Sequence, residues 1–160
     1  METKKIAELP VPTHIAKFVQ RRLVKGVLVL NRRYHVLHSE TQQCKSYFAN
    51  LDPKHTILKV EMLSPNKRTL FCLKNELEQS FFDTMMVFVA AHFMAGMSAR
   101  AAITQFLSLY DIDDEDYQLG TAYRYWTRHK AQAVLPMDQF GSFSRRQQND
   151  QYHGNRKSAA

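Results

Sequence analysis

Residues 98–130 read SARAAITQFLSLYDIDDEDYQLGTAYRYWTRHK, and two amphipathic helical patterns meet within them. Ser98 can cap the first, in which Ala99, Ala102, Ile103, Phe106, Leu107 and Tyr110 recur at helical spacing. Asp111-Ile112-Asp113 turns the chain. The second pattern runs from about Asp114 to Ala131, with Leu119, Ala122, Tyr123 and Trp126 as its inner seam. Two such helices across a tight acidic turn outline a helix-turn-helix, a shape often used to grip DNA. Beside the seam, Thr121, Arg124, Tyr125 and Arg128 fall at i, i+3, i+4 and i+7 and share one face. Arg and Tyr suit phosphate oxygens, and Arg also reads guanine edges. The plain alternative is a solvated helix face whose cations sit near the C-terminus, where the helix dipole favours them.

Upstream, Asn75 is placed to cap a helix with Glu76 and Glu78 in its first turn. Phe81, Phe82, Met85, Met86, Phe88, Val89, Phe93 and Met94 make that helix apolar nearly all round, which predicts a central, buried element ended by Gly96. Further back, Thr56 to Leu63 alternates, with Leu58, Val60 and Met62 on one face. Ser64-Pro65-Asn66-Lys67 then supplies turn residues, and Thr69 to Leu73 is expected as the partner strand of a hairpin. Ser39 can cap a short helix reaching about Asn50, which Asp52-Pro53 breaks. Residues 1–12 read as a loose lead because Pro10 and Pro12 block a helix. Thr13 can cap a helix carrying Ile15, Phe18, Val19 and Leu23, ended by Gly26. Val27 to Leu30 reads as a short strand, with a turn at Asn31-Arg32-Arg33 and a return strand at Tyr34 to Leu37. The expected organisation is α+β. It comprises a small basic helix-plus-hairpin unit at 1–74, a three-helix helix-turn-helix-like unit at 75–133, and a disordered basic tail at 134–160. The first two can share one core.

The formal net charge of +7 is unevenly spread over the 160 residues. Residues 1–75 carry fourteen Lys/Arg against five acids, and residues 76–120 carry eight acids against one Arg. Residues 121–160 carry seven Lys/Arg against two acids. A basic body with an acidic waist suits a polyanion partner, or equally a basic protein with a solvated surface. Lys17, Arg21, Arg22 and Lys25 cover one side of the first helix, followed by Arg32 and Arg33. Lys130, Arg145, Arg146, Arg156 and Lys157 extend the positive path past the last helix. Against this stands Asp113-Asp114-Glu115-Asp116 at the start of that helix, where recognition helices usually meet base edges. Phosphates repel such a run. The acids therefore serve as caps, and they can point toward a basic patch on a neighbouring subunit or on the first half of the same chain.

Other chemistries find little support. His35, His38, Cys44 and Cys72 lack zinc-site spacing, and the aspartates of the acidic run lack the glycine and terminal glutamate of a calcium loop. There is no Gly-rich phosphate loop, no HExxH and no GxSxG, so no enzyme, cofactor or small-molecule substrate is expected. His92 reads as a core histidine with a partner. The stretch Phe81 to Met97 is interrupted by Asp83 and His92 and makes a poor membrane span. The start of the chain carries no signal-peptide apolar region, and two cysteines make no disulfide framework; both point to the cytoplasm.

The pattern Ala102-Ile103, Phe106-Leu107, Tyr110, Ile112 and Tyr117, followed by Ala122-Tyr123-Arg124 and Trp126, resembles small helix-turn-helix proteins of bacterial phages and mobile elements. The likeness covers roughly residues 77–130 and consists mainly of core positions. It implies an intracellular DNA-binding or accessory role and carries over no catalytic residue. The acidic run departs from a standard recognition helix. The resulting expectation is a non-enzymatic binder of double-stranded DNA, acting in regulation or mobile-element maintenance, and able to pair as a homodimer. Its contacts are Thr121, Arg124, Tyr125, Arg128, Lys130, Arg145 and Arg146, with Arg21, Arg22 and Arg33 as a second surface. Two rivals remain. One is a protein-interaction adaptor using the acidic waist and the Tyr/Trp face. The other is an RNA binder stacking bases on Tyr34, Tyr47 and Phe48.

Overall fold

A computed structural model describes residues 4–31 and 41–133. The fold is α+β. In chain order it runs β1 (Lys4–Val11), α1 (Thr13–Val19) with a 3-10 turn at Gln20–Arg22, β2 (Val27–Val29), α2 (Gln42–Ala49), β3 (Thr56–Leu63), α3 (Lys67–Met94) and α4 (Ala99–Leu109). A last helix, α5, occupies residues 119–133. The expected turn and strand at 31–37, the Ser39 cap and the tail from 134 lie wholly or mainly outside the described residues.

The alternation at 56–63 produces β3 as read, with Leu58, Val60 and Met62 buried. β3 is the middle strand of three. β1 pairs with it antiparallel and β2 parallel, which sets Leu9 opposite Leu58 and Ala7 opposite Val60. Residues 4–11, expected as a loose lead, are thus an edge strand. Pro10 forbids a helix, but at a sheet edge its missing N–H costs no ladder bond. Leu9 and Val11 are fully buried, and that apolar area favours the pairing. Pro12, not Thr13, stands at the N-cap of α1. The Thr13 hydroxyl donates instead to the Lys54 carbonyl at 2.9 Å. Between α1 and β2, Val24 and Val27 exchange backbone hydrogen bonds of 2.8 and 3.0 Å. The two residues between them, Lys25 and Gly26, have φ of 51° and 78°. Positive φ at both central positions is the two-residue hairpin turn in which glycine is favoured.

The hairpin expected at Thr69 to Leu73 does not form; those residues open α3. Asn66 decides this. Its side chain accepts from the Thr69 N–H at 2.9 Å, while the Thr69 hydroxyl accepts from the Asn66 N–H at 3.0 Å. This reciprocal cap starts the helix there, and Leu70, Leu73 and Leu77 then fall on its buried side. A short apolar run such as TLFCL carries no period long enough to separate strand from helix. Asn75, expected as the cap, is an exposed interior position of α3. α3 therefore runs straight through position 74/75.

The inward face of α3 carries Leu77, Phe81, Met85 and Val89. The ring of Phe81 is fully buried and lies 5.1 Å from His14, 5.4 Å from Phe18, 5.7 Å from Phe106 and 5.6 Å from Tyr117. Buried side chains of β1, α1, β3, α3, α4 and α5 form one continuous cluster around it. The far end of α3 is less enclosed than its composition suggests, with Val87, Phe93 and Met94 exposed. Gly96, at φ +92°, follows the end of the helix. The Ser98 hydroxyl accepts from the Ala101 N–H at 3.2 Å and starts α4 as expected.

Candidate nucleic-acid interface

α5 begins at 119, five residues later than the sequence pattern suggests. The acids account for the delay. Asp113 Oδ1 accepts from the N–H groups of Glu115 and Asp116, each at 3.0 Å, and Asp114 Oδ1 accepts from the Leu119 N–H at 2.8 Å. Carboxylates that bind nearby N–H groups stabilise a turn in place of a helical start. The Asp116 N–H, with lesser help from Lys17, holds the Asp113 carboxyl below its usual range. The same acidic turn meets the first half of the chain. Lys17 Nζ donates to Asp116 Oδ2 and lies 3.8 Å from Asp113 Oδ2. The Asp116 hydrogen bond raises the Lys17 ammonium above its ordinary value. Of the two placements open to the acidic run, contact within the same chain is the observed one.

Along α5 the buried positions are Ala122 and Trp126, with Tyr125, His129 and Ala133 half-buried. The seam therefore follows i, i+4, i+7 and i+11 from Ala122 and leans toward Tyr125. Two tyrosines change roles as a result. Tyr123, expected in the seam, is 45% exposed. Tyr125, expected as a contact residue, stacks on Phe82 with ring centroids 4.2 Å apart and lies 4.4 Å from His129. Burial pushes the Tyr125 phenol up. The sequence pattern put Tyr123 in the seam and Tyr125 beside it; the side on which α3 packs reverses the two.

Thr121, Arg124 and Arg128 are exposed together on the outward face of α5, and Lys130 is exposed on a flank. Residues 119–133 contain no Asp or Glu. Among the described residues no carboxylate pairs with Arg124, Arg128 or Lys130. Arg21 and Arg22 belong to a different element. Arg21 Nη2 donates to the Leu109 carbonyl at 2.8 Å, and its guanidinium lies 5.7 Å from the Tyr110 ring. Arg22 lies 5.2 Å from the Phe18 ring. These contacts place Arg21 at the end of α4, where helix dipoles favour a cation. Arg33, Arg145 and Arg146 lie outside the described residues.

The alternative surfaces are partly used up. Trp126 is buried, so it adds nothing to an adaptor face. The Tyr47 hydroxyl donates to the Pro10 carbonyl, its ring lies 5.3 Å from Phe48 and 5.7 Å from Phe71, and burial pushes its phenol up to about 12. Tyr34 lies outside the described residues. An open groove is lined by His14, His55, Asp52, Glu115 and Asp116. Among the described residues the Nδ1 atoms of both histidines are buried with no hydrogen-bond partner. Among the described residues no group of three or more His, Cys, Asp or Glu is placed to hold a metal ion. His92 Nδ1 lies 2.9 Å from the Phe88 carbonyl, with the two rings stacked at 4.0 Å. Among the described residues no helix is long and apolar enough to cross a membrane.

Compared with known proteins, the chain matches no family model, no curated sequence and no solved structure.

Proposed function

We propose that this protein is a non-enzymatic DNA-binding protein that grips the phosphate backbone with the outward face of α5. One observation carries the reading: a helix with three cations and no acid, whose Arg124 and Arg128 face outward with no carboxylate partner among the described residues. A face of that kind gains affinity by releasing condensed counterions. The docking differs from that of an ordinary recognition helix. The N-terminal end of α5 follows an acidic turn that is engaged with Lys17, so the middle and C-terminal part of α5 approaches the DNA. Thr121, Arg124 and Arg128 make the contacts, and Lys130 adds phosphate attraction from the side. Tyr125 supports α5 from below and does not touch DNA. A regulatory or mobile-element accessory role in the cytoplasm, with two copies reading paired half-sites, belongs to the same proposal.

Duplex affinity measured by fluorescence anisotropy across a salt series tests this. The logarithm of the binding constant should fall linearly with that of salt concentration. Arg124→Glu with Arg128→Glu should abolish binding at moderate salt. Replacing both by Ala should flatten the salt slope by about 1.8. Binding that survives charge reversal removes α5 as the contact surface.

A further inference from the structure

α5 has a second flank that the DNA-backbone reading leaves unused. Tyr123, Thr127 and Lys130 follow one another at i, i+4 and i+7 and are all exposed. Beneath them lies the buried indole of Trp126, one turn from Tyr123 on the same helix. From the other side Phe93 of α3 comes within 6.1 Å of that indole. Phe93 is 49% exposed and its neighbour Met94 is 52% exposed. The result is an apolar ledge, with Phe93 as an open ring beside the buried indole and Tyr123 as a second open ring one turn along α5 from it. Cations border it, with Lys130 on the flank itself and Arg124 next to Tyr123. Residues 119–133 hold no acid, and of the acidic run before the helix Asp113 and Asp116 engage Lys17.

Resting on the nucleic-acid reading above, we propose that this ledge takes unpaired nucleobases, and that the preferred ligand is a nucleic acid with single-stranded or locally opened segments. A perfect duplex hides the faces of its bases in the stack and offers only edges and phosphates, so exposed ring faces have no base to stack on in a duplex. A single strand offers flat apolar faces beside anionic phosphates. Aromatic rings bordered by Arg and Lys are complementary to both at once, and stacking on such rings tolerates any base. The arrangement lets one helix divide the work. Arg124 and Arg128 hold the backbone, while Tyr123 and Phe93 hold a base that has left the stack.

The test uses three 20-residue DNA probes carrying 2-aminopurine: a single strand, a perfect duplex, and a duplex with a central unpaired bubble. Anisotropy gives affinity, and 2-aminopurine fluorescence reports stacking. The full-length chain should bind the single strand and the bubble roughly tenfold more tightly than the perfect duplex, with a change in probe fluorescence. Tyr123→Ala should remove that preference while leaving duplex affinity in place, and Tyr123→Phe should retain it. Circular dichroism confirms that each variant is folded; Tyr123 is half-exposed, so both should be. Equal affinity for the three probes, or a preference that persists in Tyr123→Ala, overturns the ledge and leaves the backbone-binding reading standing. Absence of binding to any probe at low salt overturns both readings together.

Discussion

Replacing Phe81 by Ala tests whether one core holds the molecule together. The side chain is fully buried, and its ring meets rings from α1, α3, α4 and the turn before α5. Truncating a buried Phe to Ala costs about 3–5 kcal/mol, from lost transfer energy and the cavity left behind. Edge-to-face pairs such as Phe81 with Phe18, at 84°, put this site toward the upper part of that range. Domains of ordinary stability have only about 5–15 kcal/mol to lose. At about 3 °C per kcal/mol for a chain of this size, the melting temperature should drop on the order of 10 °C. Circular dichroism gives the midpoint, and native-state hydrogen exchange gives its distribution. The amides of β3 and of α4 should lose protection together, because both sides of the core rest on the same ring. A loss under about 1 kcal/mol, or helical amides that weaken while those of β3 keep their protection, refutes the shared core.

Further outcomes are expected. Asn66→Ala removes the cap that starts α3 and should lower urea stability by about 1 kcal/mol, whereas Asn75→Ala should leave it nearly unchanged. His14 is held down to about 4, chiefly by burial and in spite of Asp116. The unfolded chain therefore binds its proton first, and the urea midpoint should fall as pH drops from about 6.5 to about 4; His14→Phe should flatten this slope, and a slope unchanged in that variant would show that His14 is not its source. Lys17→Ala leaves Asp113 and Asp116 without their cation, so duplex affinity should fall although the variant alters no residue of α5; equal affinity at low salt would contradict the electrostatic role assigned to that contact.

What the sequence disclosed, and what it withheld, follows the range of each signal. β3 was legible because Leu58, Val60 and Met62 alternate with Lys59 and Glu61 over eight residues. The Ser98 cap and the inward face of α4 were legible for the same reason, since a local period and a local hydroxyl decide them. β1 was not, because its strand character depends on a partner more than forty residues away, and Pro10, with Pro12 just past the strand, reads locally as interruption. The first turns of α3 were not legible, because TLFCL suits either structure and the Asn66 cap decides between them. At the candidate interface the outward position of Thr121, Arg124 and Arg128 was readable from spacing alone. The exchange of Tyr123 and Tyr125 was not, since the two sit on opposite flanks of one seam and only the direction from which α3 approaches separates them.

The pairing of Lys4 with Leu63 and of Val11 with Thr56 bears on how the chain is made. During synthesis β1 emerges ahead of its partner strand, which leaves the ribosome only some fifty residues later. Until then β1 has no template, and β2, which needs the same central strand, waits with it. The neighbouring helices α3 and α4 make their contacts locally and are free to assemble as soon as both exist. The sheet is therefore assembled from the middle outward, with β1 waiting on a strand made much later.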